Sequence, residues 1–86
     1  MKTIYKYDVP FEDHPIVQMP DGAVILAFQL QMGSGLVVWA IVDTEAPIQL
    51  RQLELCGTGH PLGEVGTYIG TVQQGRFVWH LFEAKL

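Results

Sequence analysis

Hydrophobic and polar residues alternate along most of this 86-residue chain, and the alternation has a period of two. In "TIYKYDV", Tyr5, Tyr7 and Val9 fall on one face and Lys6 and Asp8 on the other, the pattern of a strand. Pro10 ends that strand or holds it at a sheet edge, because proline has no amide hydrogen to give to a ladder. The polar loop "FEDHP" precedes a short strand, "IVQM", which closes on a turn at Pro20–Gly22. In "AVILAFQLQM", Val24, Leu26, Phe28, Leu30 and Met32 share one face, and Ile25, Ala27, Gln29 and Gln31 share the other. The second face changes from apolar to polar along its length. Gly33–Gly35 reads as a tight hairpin connection.

The return strand, "LVVWAIVD", is apolar on both faces and rich in β-branched residues, the composition of a central strand covered on both sides. After the break at Asp43–Pro47, "IQLRQLELC" changes phase: Ile48 and Leu50 share one parity, Leu53 and Leu55 the other. A bulge near Arg51 and Gln52 would reconcile them. A glycine-rich connection then leads to a strand in "TYIGTVQ", a turn in "QQG" and a last strand in "RFVWHLFEA". In that last strand Phe77, Trp79 and Leu81 oppose Val78, His80 and Phe82. No segment carries a 3.6-residue period with caps at both ends, and turn signals recur about every ten residues. The expectation is a single all-β domain over residues 1–86, built as a small antiparallel meander, partly closed barrel or sandwich. Strands that are apolar on both faces in so short a chain further predict packing as a homo-oligomer.

Composition sharpens this picture. Apolar residues make up 49% of the chain and charged ones only 16%, although a domain this short buries roughly 60–65% of its unfolded surface. The excess implies surface hidden by a partner or by further copies. The net charge is −4, and five scattered basic residues do not form the Lys/Arg cluster by which proteins displace counterions from DNA or RNA. One cysteine gives no intramolecular disulfide framework, which fits a reducing compartment. "MKTIYKYDVP" lacks the apolar core of a signal peptide, and the longest apolar run, Leu36–Val42, is far short of the roughly 20 residues that span a bilayer. The expected location is the cytoplasm.

Five of the nine glycines fall between Cys56 and Gly70. A dinucleotide fingerprint needs its glycines to open a helix, and here Pro61 and a strand follow instead. Gly57, Thr58, Gly59 and His60 could form an anion-binding nest of backbone amides with two side-chain donors; the alternative is a loop crossing one end of the fold, with glycines for its turns. Cys56 and His60 have C-x3-H spacing but no second ligand pair, so no metal is expected, and His80 reads as a packed or hydrogen-bonded histidine. Nucleophilic catalysis by Cys56 would need His60 and a third orienting group, and a cysteine ending a strand is more often a small buried hydrophobe. The carboxylates of Glu12, Asp13, Asp43 and Glu45 lie in loops as solvated charges, so no enzyme is expected. Aromatics facing a groove, with Trp39 and Tyr68 the candidates, would stack a base. Gln29 or Gln31 could read a purine edge, and Arg51 and Arg76 are available for phosphate.

Four stretches, "MPDGAVIL", "QLQMGSGLVVWAIVDTEAP", "CGTGHPL" and "YIGTVQQGRFVWHLFE", together resemble a family of small tailed-phage proteins that was long a domain of unknown function. The likeness covers nearly the whole chain, with "WAIVDTEAP" and "GTGHP" its most specific parts. The Gly33–Gly35 turn differs from the insertions found there. That family is associated with the fourth group of phage anti-CBASS sponges, which bind cyclic dinucleotides such as 3′,3′-cyclic GMP-AMP (3',3'-cGAMP) without cleaving them. The resemblance implies an oligomer, a tetramer in that group, acting in the host cytoplasm with ligand held near subunit contacts. It would need donors for two phosphates, from Gly57, Thr58, Gly59, His60 and Arg51, and faces and edges for two bases, from Trp39, Tyr68, Gln29 and Gln31. The rival expectation is a protein-binding inhibitor or small structural accessory docking through an exposed apolar strand face.

Overall fold

Seven strands follow one another in the computed structural model, which describes residues 1–33 and 35–85: β1 (Lys2–Asp8), β2 (Ile16–Pro20), β3 (Val24–Gln31), β4 (Gly35–Asp43), β5 (Ile48–Gly57), β6 (Val65–Gln74) and β7 (Phe77–Ala84). All regular structure among the described residues is strand, as the period-two alternation predicts. Ser34, in the Gly33–Gly35 connection, lies outside the described residues. No helix among the described residues is long and apolar enough to cross a membrane.

The strands form two antiparallel sheets, a three-stranded one in the order β1-β4-β3 and a four-stranded one in the order β2-β5-β7-β6. Their inner faces enclose the core. Val38, Ala40 and Val42 of β4 meet Val17 and Met19 of β2, Leu53 and Leu55 of β5, Val72 of β6 and Leu81 of β7. Alternate residues supply these side chains because successive strand positions point to opposite faces. Each fully buried Leu, Val or Met stabilises the fold by about 1.5–3 kcal/mol relative to its exposed state. The sheets come together at one corner, where Gly70 of β6 lies against Phe28 of β3; a Cβ there would stand 3.1 Å from the Phe28 Cβ. The corner brings the sheets close without closing them into a barrel. The β6–β7 hairpin turns on Gly75 and Arg76, with Gly75 at φ 60, the left-handed value that a two-residue connection asks of its first position.

The phase change in β5 has a different origin from the expected bulge. Its register runs without a shift, but its partner changes: Ile48–Gln52 pair with β2 and Leu53–Gly57 pair with β7. Leu53 and Leu55 point into the core, while Ile48 and Leu50 remain on the outer face, 62% and 60% exposed. No bulge is needed because the apolar residues at the two ends of β5 serve different faces. Bulges lie instead at Leu26 in β3 and on either side of Tyr68 in β6. The β3 bulge breaks the expected five-residue face, so that Ile25 packs against the core and Phe28 is buried in it, while Val24, Leu26, Leu30 and Met32 are exposed.

β4 is central, as its composition predicts, but only its inner face is covered by the other sheet. On its outer face Ile41 lies between Ile4 and Val24, both more than half exposed, and Trp39 lies beside Lys6 and Ala27. At the end of β4, Asp43 accepts the Glu45 amide hydrogen (3.0 Å) and the N-terminal ammonium (3.4 Å). These donors, the Glu45 amide first, hold its carboxyl below the usual carboxylate range.

Candidate ligand-binding site around the glycine loop

β5 ends on Gly57, and the chain then turns. The Thr58 amide donates to the Val78 carbonyl (3.1 Å), extending the ladder to β7, and the His60 amide donates back to Gly57 (3.0 Å). Gly59 supplies the φ of +87° that the third position of such a turn requires. Gly57 is fixed by packing instead: a Cβ there would lie 2.8 Å from Cζ3 of Trp79 and 2.9 Å from Nδ1 of His60. The Cys56 sulfur lies beneath the loop against the carbonyls of Gly57, His60 and Pro61, at 3.4, 3.6 and 3.7 Å.

Trp79 organises the surroundings. Its indole donates to Gln74 Oε1 (3.0 Å), Phe77 stacks on it at 5.8 Å, and Phe11 meets it edge-on at 4.9 Å. The turn divides the space above these rings in two. On one side, a recess of about 270 Å³ is lined by Thr58, His60, Arg76, Phe77, Val78 and Trp79. On the other, a cleft of about 580 Å³ runs between the Phe11–His14 loop and the Cys56–Gly63 loop. The recess carries the basic Arg76, whereas the cleft is bordered by Glu12, Asp13 and Glu54.

A hydrogen-bonded row continues from the turn over the outer face of the four-stranded sheet. Thr58 Oγ1 bonds His80 Nε2 (2.7 Å), Thr71 Oγ1 bonds His80 Nδ1 (3.0 Å), and the Tyr68 hydroxyl bonds Thr71 Oγ1 (2.6 Å). Both ring nitrogens of the half-buried His80 are therefore partnered, and Tyr68 is tied to the turn through two intermediates.

The structure thus brings Gly57, Thr58, Gly59, His60 and Tyr68 into one region. It leaves the other candidates elsewhere. Arg51 lies six residues back along β5, about 20 Å from Gly57 at strand rise. Its Nε and NH2 groups donate to Glu83 (3.0 and 3.1 Å), and NH2 also donates to the Ala23 carbonyl (2.8 Å). Trp39, Gln29 and Gln31 stand on the outer face of the other sheet, where Trp39 Nε1 donates to Gln29 Oε1 (3.1 Å) and Lys6 Nζ donates to Gln31 Oε1 (2.6 Å). Sequence reading passed over Phe11, Phe77, Thr71 and the cleft wall at Glu54. The aromatic parity of Phe77 with Trp79 marked Phe77 alone, whereas Phe11, Thr71 and Glu54 come from other segments and carried no local signal. Among the described residues, no group of three or more His, Cys, Asp or Glu side chains is placed to hold a metal ion.

The whole chain, residues 1–86, matches the model of a family described as a domain of unknown function, DUF7352. The chain belongs to the DUF7352 family. No curated protein and no solved structure matches it. In this DUF7352 chain the turn at Gly57–His60 is therefore read from its own geometry. The amides of Thr58 and His60 donate within the protein, and the side chains of Thr58, His60 and Arg76 line the recess beside the turn.

Proposed function

We propose that this protein is a non-catalytic sponge that binds and sequesters a cyclic dinucleotide such as 3′,3′-cyclic GMP-AMP, the kind of signal used in bacterial anti-phage defence such as CBASS. The observation that carries the reading is the recess beside the turn. A guanidinium (Arg76), a hydroxyl (Thr58) and an imidazole (His60) border the stacked rings of Phe77 and Trp79. Phosphate takes charge-assisted hydrogen bonds from such donors, and a base stacks on such rings. At about 270 Å³ the recess is smaller than the usual 300–1,000 Å³ of a small-molecule site, so a second copy completes it. The outward apolar face at Ile4, Val24 and Ile41 supports self-association. If the Trp39 face of one copy covers the turn of the next, Trp39, Gln29 and Gln31 join the same ligand in a head-to-tail oligomer. A sponge acts by mass action in the infected host's cytoplasm and needs affinity and copy number, with no turnover.

The test is a thermal melt against cyclic dinucleotides and their linear forms. A ligand at 100 times its Kd adds about 2.7 kcal/mol, which in a domain of this size raises Tm by roughly 10–20 °C. The cyclic form should give this shift and be recovered intact. Arg76→Ala, and Thr58→Ala with His60→Ala, should abolish it. A flat panel would overturn the reading. It would favour the alternative that the same exposed face at Ile4 and Val24 suggests, a protein-binding inhibitor or structural accessory.

A further inference from the structure

The cleft on the far side of the turn has the opposite character from the recess at Arg76. Its volume of about 580 Å³ is that of a small-molecule site. Its floor is aromatic, with Phe11 edge-on to Trp79 at 4.9 Å and 78°. Leu55 and Leu62 extend the apolar wall. Its border holds three carboxylates, on Glu12, Asp13 and Glu54, and none of the lining residues is Lys or Arg. The two histidines at its edge are His14, which pairs with Glu54 (2.7 Å), and His60, whose ring meets Trp79 at 6.4 Å.

These features select a ligand by charge. The negative π faces of Phe11 and Trp79 attract a cation, and carboxylates beside them strengthen the attraction at short range. An anion would meet three like charges and no fixed positive one. We propose that this cleft binds a small organic cation, a guanidinium or alkylammonium group on a short apolar body. The charge lies among Glu12, Asp13 and Glu54, and the body lies against Phe11 and Trp79. The cleft adjoins the nucleotide recess, with Gly57, His60 and Trp79 common to both linings, but the proposal does not rest on that reading.

Trp79 reports on its own occupancy once the other tryptophan is replaced. The full chain carrying Trp39→Phe is titrated with argininamide and with citrullinamide, its near-isosteric neutral counterpart, both with the α-amine blocked as the N-acetyl derivative so that the guanidinium is the one charge that differs, at about pH 8, where an ordinary histidine is uncharged. Argininamide should change Trp79 emission saturably at about millimolar concentration or below. Citrullinamide should bind at least about tenfold more weakly, a difference of about 1.4 kcal/mol. Raising NaCl from about 50 to about 500 mM should weaken argininamide several-fold. Glu12→Gln with Asp13→Asn, both exposed loop positions, should weaken it about tenfold, again about 1.4 kcal/mol. Equal binding of citrullinamide, or no saturable change by about 10 mM argininamide, overturns the proposal. The comparison of the two amides requires no substitution in the cleft, so a carboxylate variant that fails to fold leaves the test intact.

Discussion

Replacing Gly57 with alanine adds one methyl group at the tightest point of the glycine loop. The new Cβ would stand 2.8 Å from Cζ3 of Trp79, 2.9 Å from Nδ1 of His60 and 3.0 Å from its Cε1. Non-bonded carbon atoms prefer about 3.5–4.0 Å, so both rings must withdraw. His60 is exposed and can swing away. Trp79 is held by Phe77 on one side, Phe11 at its edge and a hydrogen bond to Gln74, and moving it disturbs all three. Overpacking of this kind costs about 1–3 kcal/mol. In a domain of this size that lowers Tm by roughly 4–24 °C. Tm and the denaturant midpoint should both fall, and tryptophan emission should shift because the indole is displaced. Gly57→Ala with His60→Ala should recover only part of the loss, since the Trp79 contact is the shorter of the two. Gly63→Ala is the control: a Cβ there meets nothing within 4 Å, and Tm should hold. A Gly57→Ala protein melting within about 2 °C of the parent would refute the packing argument.

Two further outcomes follow from the ion pairs. Arg51→Ala removes a two-pronged contact to Glu83 and leaves the Ala23 carbonyl without its guanidinium partner; with a fifth to a quarter of these side chains exposed, the loss should be about 1–2 kcal/mol, read by denaturant unfolding, with nucleotide binding unchanged. Asp43, whose carboxyl is held below its ordinary range, contributes stability that is present above its unfolded-state pKa and lost as pH falls through the folded one. An NMR titration of its side-chain carboxyl should place the midpoint below that of an unstructured peptide, and Asp43→Asn should flatten the acid limb of the stability curve.

The alternation of Tyr5–Val9 and the doubly apolar Leu36–Asp43 made the all-β fold and its central strand legible, because strand period depends only on which side chains face the core. Parity failed where long-range partners decide. Nothing local to Arg51 and Gln52 distinguishes a bulge from a change of partner, since β2 and β7 come from distant parts of the chain. At Leu26 the reverse occurred: an unbroken alternation concealed a real bulge. The loop at Gly57–His60 stood out by composition, yet its companions Phe11 and Arg76 are brought to it by the fold, more than a dozen residues away along the chain. Arg51 had the chemistry of a phosphate ligand, and only the structure reveals Glu83 and Ala23 as its partners.

The divided pairing of β5 also bears on how the chain is made. β1, β3 and β4 lie within the first 43 residues and can pair as they emerge during synthesis. β5 cannot complete its ladder then. Its first half has β2 waiting, but its second half, with Leu53 and Leu55, has no strand neighbour on the β7 side until residues 77–84 have been made. Until that moment the nascent chain presents an apolar strand with one open edge, the kind of surface that recruits chaperones or other nascent copies. The β6–β7 hairpin, last to appear, is the segment that seals it.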